Sequence, residues 1–203
     1  MAIQPIELDT DYSGVAQFSG LRLSVDEFLE LPDDGCKYEL LDGVVFMSPR
    51  PTPAHQKTAM GILLQLGNYL QQNPVGEAFF EVDVHLGAKD GGGELVYVPD
   101  ILFIRAERVK AMRDLITGAP DLVVEVVSRG SRRMDTITKR DDYEHFGVGE
   151  YWIVDPAREL ITFLRLVDGK LVEVTPTGDT FTSTAVPGFT LNVAAVRETF
   201  KPW

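Results

Sequence analysis

Two acidic residues stand in apolar segments where an ionised carboxylate would be costly. Glu125 interrupts the β-branched run at 122–127, and Asp100 follows Pro99 at the start of another apolar segment. Removing a carboxylate from water costs several kcal/mol unless a cation or hydrogen-bond donors meet it. Two carboxylates and a backbone carbonyl supply the hard oxygen ligands that Mg²⁺ prefers. The pair therefore predicts a divalent-metal site.

A metal held in this way has a definite chemistry. It lowers the pKa of a water molecule and polarises a phosphodiester, as metal-dependent nucleases require. The alternative is structural: Glu125 forms an ion pair with a buried basic side chain, for which Lys139 is the candidate. Both hypotheses place a positive charge beside Glu125.

The elements that must position these residues follow from hydrophobic periodicity. The unbroken apolar character of 122–127 predicts a strand buried on both faces. Ser131 is placed to cap a helix that runs to about Phe146, where Gly147 ends it. Further predicted elements around the site are strands at 80–86, 97–104 and 150–155 and a surface helix at 105–117.

The flanking regions extend this core. Ser24 and Glu27 form a capping box for a helix at about 25–31. An Asp42-Gly43 turn predicts a hairpin over 38–47, and apolar residues at three- and four-residue steps predict a helix at about 54–72. The remaining predicted strands lie at 160–166, 171–175 and 189–193.

The whole chain has the size and composition of one globular domain. It has 203 residues, of which 44% are hydrophobic and 25% charged. We expect an N-terminal arm at 1–20 and a single domain at 21–203, with its core at about 54–155. The lone Cys36 excludes an internal disulfide or a zinc knuckle, and with no membrane-spanning run or signal peptide we expect a cytoplasmic protein.

The charge argues against loose coating of nucleic acid. A net charge of −12 disfavours sequence-independent phosphate binding, which depends on lysine and arginine. The basic residues are unevenly distributed, however, and a cluster follows the Glu125 strand: Arg129, Arg132, Arg133, Lys139 and Arg140. This cluster is either a set of solvated helix-end charges or a local phosphate-binding surface.

These motifs resemble the PD-(D/E)XK nuclease superfamily and, within it, the Uma-type (Uma2/DUF820) restriction endonuclease-like family. The resemblance covers about residues 20 to 195, and the run at 120–156 is its most specific part. It implies an α/β restriction-endonuclease-like fold: a central mixed sheet flanked by helices, with an N-terminal hairpin and C-terminal strand extensions. The matching positions are 38–43, His55, 98–100, 120–128, Lys139, Tyr143 and 147–156.

The resemblance also implies a site. Asp100 and Glu125 would bind Mg²⁺ or Mn²⁺, with the carbonyl of Val126 as third ligand. The superfamily lysine should stand two positions after Glu125, where this chain has Val127. Lys139 on the following helix is the candidate replacement, able to orient water or stabilise transition-state charge.

Other residues have open roles. Lys139 could instead form an ordinary i, i+4 pair with Asp135. Glu39 could supply a further catalytic acid, for a second metal or a metal-bound water. His55 either contacts substrate or has no chemistry. Arg132, Thr136, Lys139 and Tyr143 should share one helix face, which makes Arg132 and Tyr143 candidate substrate contacts.

The resulting functional hypothesis is an endonuclease that hydrolyses phosphodiester bonds in DNA, for which a homodimer would allow both strands to be reached. The alternative is a catalytically inactive nuclease-fold protein that serves as a binding or regulatory module. Val127 and the acidic composition favour that alternative. A third hypothesis is a hydrolase of another phosphate ester, since the same ligands suit any phosphoryl centre.

Overall fold

The computed structural model describes residues 17–112, 115–128 and 130–202. The two longest helices lie at Pro53–Gln72 and Lys139–Phe146. The helices are α1 (Val25–Leu29), α2 (Pro53–Gln72), α3 (Ala106–Val109), α4 (Lys139–Phe146) and α5 (Val193–Glu198), with a π-helical segment at Met134–Thr138 and a 3₁₀ turn at Pro156–Arg158. The strands are β1 (Tyr38–Leu41), β2 (Val44–Met47), β3 (Gly76–Phe79), β4 (Val84–Ala88), β5 (Glu94–Tyr97), β6 (Ile101–Arg105), β7 (Ile116–Thr117), β8 (Leu122–Val126), β9 (Glu150–Asp155), β10 (Leu160–Val167), β11 (Lys170–Glu173), β12 (Thr180–Thr182) and β13 (Thr190–Asn192).

The strands form two main sheets. A six-stranded mixed sheet has the order β11-β10-β9-β8-β6-β3, in which β8 and β9 are parallel and the other neighbours are antiparallel. A five-stranded sheet has the order β2-β1-β5-β4-β7 and includes the predicted hairpin. Strands β12 and β13 form a separate antiparallel pair.

Within the six-stranded sheet, strand β8 is buried on both faces, as the apolar run at 122–127 predicted. Val124 and Trp152 face a core that includes residues of α2 and α5. Val123 and Tyr151 face a second core, shared with the five-stranded sheet and α4. Side chains alternate across a strand, so Glu125 points into this second core, between the two sheets.

Three predicted elements differ in the structure. The predicted strand at 80–86 is divided, because residues 80–83 connect β3 to β4 and Glu81 has a φ of 49°. The predicted strand at 97–104 breaks at Pro99 and Asp100, since proline cannot donate to a β-ladder. The predicted helix at 105–117 is limited to α3; Ile116 lies in β7, and residues 113–114 are outside the described residues.

The predicted helix at 131–146 and the C-terminal region differ in detail. Residues Met134–Thr138 are π-helical before α4 begins. The expected final strand ends at Asn192, which caps an unpredicted helix, α5. Most of the expected N-terminal arm, residues 1–16, lies outside the described residues. Within the described part of the chain, no helix combines the length and apolarity needed to cross a membrane.

Candidate active site

A cavity of about 170 Å³ lies between the two sheets, beside the π-helical segment and the N-terminal end of α2. It brings together residues far apart in the sequence, from both sheets, α2 and the helical segment that leads into α4. Of the predicted site residues, the following line it: Glu39, His55, Asp100, Glu125, Val126 and Lys139. Arg132 and Tyr143 are not among its lining residues.

Glu125 is buried and held by two donors on α4. Lys139 Nζ donates to Glu125 Oε1 at 2.7 Å, and the Tyr143 hydroxyl donates to the same oxygen at 3.1 Å. Burial raises the pKa of Glu125 to about 8, against the opposing charge of Lys139. The ion pair with Lys139, which the sequence offered as the structural alternative, is therefore present in the fold.

Lys139 contacts a second carboxylate. Its Nζ lies 2.8 Å from Glu39 Oε1, and it stands 5.1 Å from the centre of the Tyr97 ring. Burial opposes the ammonium charge, but the carboxylates of Glu125 and Glu39 raise the pKa of Lys139 well above its usual value. Lys139 is therefore a fixed positive charge in the cavity wall.

Glu39 comes from β1 of the other sheet. Its Oε1 accepts from the Val98 backbone N–H at 2.9 Å, and its Oε2 accepts from the Ser48 hydroxyl at 3.0 Å. With Lys139 as well, both oxygens of Glu39 are engaged. This arrangement positions the lysine and joins the two sheets.

Asp100 stands just before β6 and is held by His55 and by β8. Its Oδ2 lies 3.0 Å from His55 Nε2 and accepts from the Val126 backbone N–H at 2.7 Å. Burial works against the charge, but the hydrogen bond and charge of His55, together with the Val126 N–H, lower the pKa of Asp100. An ionised carboxylate only accepts, so we assign the proton to His55 Nε2. His55 Nδ1 is buried and has no partner among the described residues.

One oxygen of each predicted ligand remains available. Among the described residues no hydrogen bond reaches Asp100 Oδ1 or Glu125 Oε2, and neither atom is sealed from solvent. In the same part of the chain, no group of three or more His, Cys, Asp or Glu side chains is arranged to hold a metal ion. Mg²⁺ commonly uses one or two carboxylates and retains several waters. Two carboxylate oxygens are the type of donor that such a cation takes.

The cavity contains an acid that the sequence did not single out for chemistry. Asp135 lines it and is buried; its Oδ2 accepts from the Ser131 hydroxyl at 2.5 Å, and Ser128 Oγ donates to Ser131 Oγ at 3.0 Å. Burial raises the pKa of Asp135 to about 6, against the charge of Lys139. In the sequence, only the four-residue spacing of Ser131 and Asp135 indicated this contact. The π-helical turn, a feature frequent at functional sites, places the pair in the cavity, and residue spacing does not reveal that turn.

Two residues predicted to contact substrate lie elsewhere. Tyr143 is fully buried, and its hydroxyl holds Glu125. Arg132 bonds to Asp155 and lines another cavity, together with Thr136. The expected shared face of Arg132, Thr136, Lys139 and Tyr143 is therefore wrong, because the π-helical turn is wider than an α-helical one and changes the angular register before α4.

Comparison with known proteins agrees with this architecture. A family model described as Uma2, "Putative restriction endonuclease", matches residues 25–194. No curated protein matches the chain. Among solved structures, a putative nuclease belonging to DUF820 from Anabaena variabilis ATCC 29413 superposes with a TM-score of 0.73, covering 88% of this chain and 99% of that chain at 17% identity. The predicted α/β fold, with mixed sheets flanked by helices, is confirmed.

Proposed function

Because the chain belongs to the Uma2 family, whose model is described as "Putative restriction endonuclease", we propose that it is a divalent-metal-dependent endonuclease that hydrolyses phosphodiester bonds in DNA. The observation that carries this proposal is the meeting of Asp100, Glu125 and Lys139 in one cavity, with a free oxygen on each carboxylate. Glu125 comes from β8, Lys139 from α4 and Asp100 from the connection before β6. The predicted homodimer remains part of the same hypothesis.

The residues that would hold Mg²⁺ or Mn²⁺ are Asp100, Glu125 and the carbonyl of Val126. When bound, the metal would supply Lewis acidity at the phosphate and a more acidic water. The lowered pKa of Asp100 keeps that carboxylate ready as a ligand at neutral pH, whereas Glu125 must lose its proton to bind. A cation therefore competes with that proton.

Lys139 replaces the motif lysine, which this chain lacks at position 127. Val127 occupies the usual position and packs into the core, whereas Lys139 reaches Glu125 from the following helix. A fixed ammonium beside the scissile phosphate stabilises the negative charge that develops in the transition state, without reorganising during the reaction. Glu39 and Tyr143 act as positioning residues, since they hold the lysine and Glu125.

Cleavage of supercoiled plasmid with Mn²⁺ tests the proposal. Asp100→Asn and Glu125→Gln should each lower the cleavage rate by about 10²-fold or more, the scale seen when a preorganised charge-stabilising group is lost. The matched controls are the exposed Asp179→Asn and Glu198→Gln, whose side chains are 72% and 65% exposed. Cleavage that persists unchanged in the Asp100 and Glu125 variants refutes the mechanism.

The second candidate function is an inactive nuclease-fold binding module. Lys139 already pairs with both Glu125 and Glu39, which favours this candidate because these two acids share a cation in the absence of a metal. Calorimetry distinguishes the two functions. Absence of Mg²⁺ and Mn²⁺ binding, together with no nucleic-acid binding at low salt, supports the module.

A further inference from the structure

A second cavity, of about 230 Å³, lies on the opposite side of the π-helical segment and α4 from the catalytic one. Three arginines from separate turns line it, in a chain whose net charge is −12. Arg132 and Arg140 come from the helical segment, and Arg158 comes from the 3₁₀ turn after β9. Asp155 and Glu173 line the same cavity, so its formal charge is positive by one.

The arginines differ in how fully their donors are used. Arg132 is fixed by its ion pair with Asp155, which is itself buried. Arg140 donates through Nη2 to the Leu171 carbonyl at 3.3 Å. The Arg158 side chain has no hydrogen bond or ion pair to any described residue, and Arg140 and Arg158 are both exposed. Most of the N–H groups of these two guanidinium ions are therefore free to meet a ligand.

The free donors favour a phosphate group. A guanidinium ion presents planar pairs of N–H donors that match two phosphate oxygens at once. The cavity wall also includes the hydroxyl-bearing Thr136 and Thr162. The positive formal charge of this cavity contrasts with the net charge of −12 of the whole chain.

The position of this cavity relates it to the catalytic one. Ser131 and Asp135 line the catalytic cavity, whereas Arg132 and Thr136 line the second, so one helical segment separates the two. Val126 of β8, which lines the catalytic cavity, pairs with Val154 of β9. The next residue of β9, Asp155, lines the second cavity. The two cavities are therefore separated by the width of one helix, roughly 10 Å.

We propose that the cavity lined by Arg132, Arg140 and Arg158 is a phosphate-binding site, which in a nuclease holds a backbone phosphate other than the scissile one. The assignment to the nucleic-acid backbone rests on the proposed endonuclease function, whereas phosphate binding itself does not. The site positions the nucleic-acid strand across the helical segment and provides an otherwise acidic protein with a local phosphate contact.

The experiment measures binding without cleavage. A labelled DNA duplex is titrated in EDTA at several salt concentrations, and the slope of log K against log salt counts the phosphate contacts. Arg140→Ala and Arg158→Ala should each reduce the slope by about 0.9. The matched control is Arg197→Ala, whose exposed side chain pairs with Asp179 on the surface and should leave the slope unchanged. Thermal midpoints confirm that the variants fold.

A second arm uses inorganic phosphate and the arginine Nε–H resonances, assigned through the same variants. Phosphate should shift the resonances of Arg140 and Arg158 but not that of Arg197. If phosphate shifts them and no DNA binds to the wild type, the site stands and the DNA endonuclease function fails. If phosphate does not shift these resonances, the phosphate site is refuted. If phosphate shifts them but the salt slope is the same in the Arg140, Arg158 and Arg197 variants, the assignment to the nucleic-acid backbone is refuted.

Discussion

Replacing Lys139 by methionine should destabilise the protein strongly when no divalent metal is present. The substitution retains most of the side-chain volume but removes the cation between Glu125 and Glu39, which lie 2.7 and 2.8 Å from Lys139 Nζ. All three side chains are only 5% exposed, so the carboxylates left behind would be poorly solvated.

The magnitude follows from that burial. Removing one partner of a buried ion pair costs about 3–5 kcal/mol, because the other charge is left uncompensated. For a domain of this size the loss corresponds to a fall in Tm of roughly 6 to 20 °C. The matched control is Lys201→Met, since Lys201 pairs with Glu198 at the surface, with both side chains about two-thirds exposed. Removing that pair should cost about 1 kcal/mol or less.

Urea denaturation in EDTA above pH 8, where Glu125 is ionised, measures both free energies of unfolding. The unfolding is followed by tryptophan fluorescence, because Trp152 is fully buried and reports on the core. A double variant, Lys139→Met with Glu125→Gln, should recover much of the loss. It removes the buried charge that lacks a partner, while Glu39 retains its Val98 and Ser48 donors. The reasoning is wrong if Lys139→Met costs no more than Lys201→Met.

Two further predictions concern pH and backbone packing. Because burial raises the pKa of Glu125 from 4.5 to about 8, the folded protein binds more protons than the unfolded chain between these values, so its free energy of unfolding should fall as pH rises through that window. Urea titrations in EDTA at pH 5 and 8 should show a smaller fall for Glu125→Gln, and an equal fall would contradict the assignment. Gly76→Ala should destabilise the protein by about 1–3 kcal/mol, since the added Cβ would lie 2.2 Å from the Ile104 carbonyl oxygen. The matched variant in α2 is Gly67→Ala, whose Cβ would meet nothing within 4 Å. It should stabilise the protein by about 0.5–1 kcal/mol. Thermal unfolding of the two variants checks the pair, and shifts of the same sign would refute it.

Local patterns predicted the elements with strong periodicity or capping signals. The capping box at Ser24, the Asp42-Gly43 hairpin and the doubly buried strand β8 are present because each depends on residues a few positions apart. The divided strand around Asp100 and the short α3 were not predicted. There, side chain to backbone bonds and pairing with distant strands override the local pattern: the Val98 N–H, for example, donates to Glu39.

By itself, the sequence determined which carboxylates were costly to bury, and so it identified Asp100 and Glu125 from their apolar surroundings alone. Only the tertiary structure decided their partners, because the contacts join residues 14 positions apart in Lys139–Glu125, 45 in His55–Asp100 and 59 in Val98–Glu39. It also directed Arg132 to a second cavity and brought Asp135 into the first, through a π-helical turn that residue spacing does not reveal. Periodicity reports which face of an element is buried, whereas the packing of separate elements determines what that face meets.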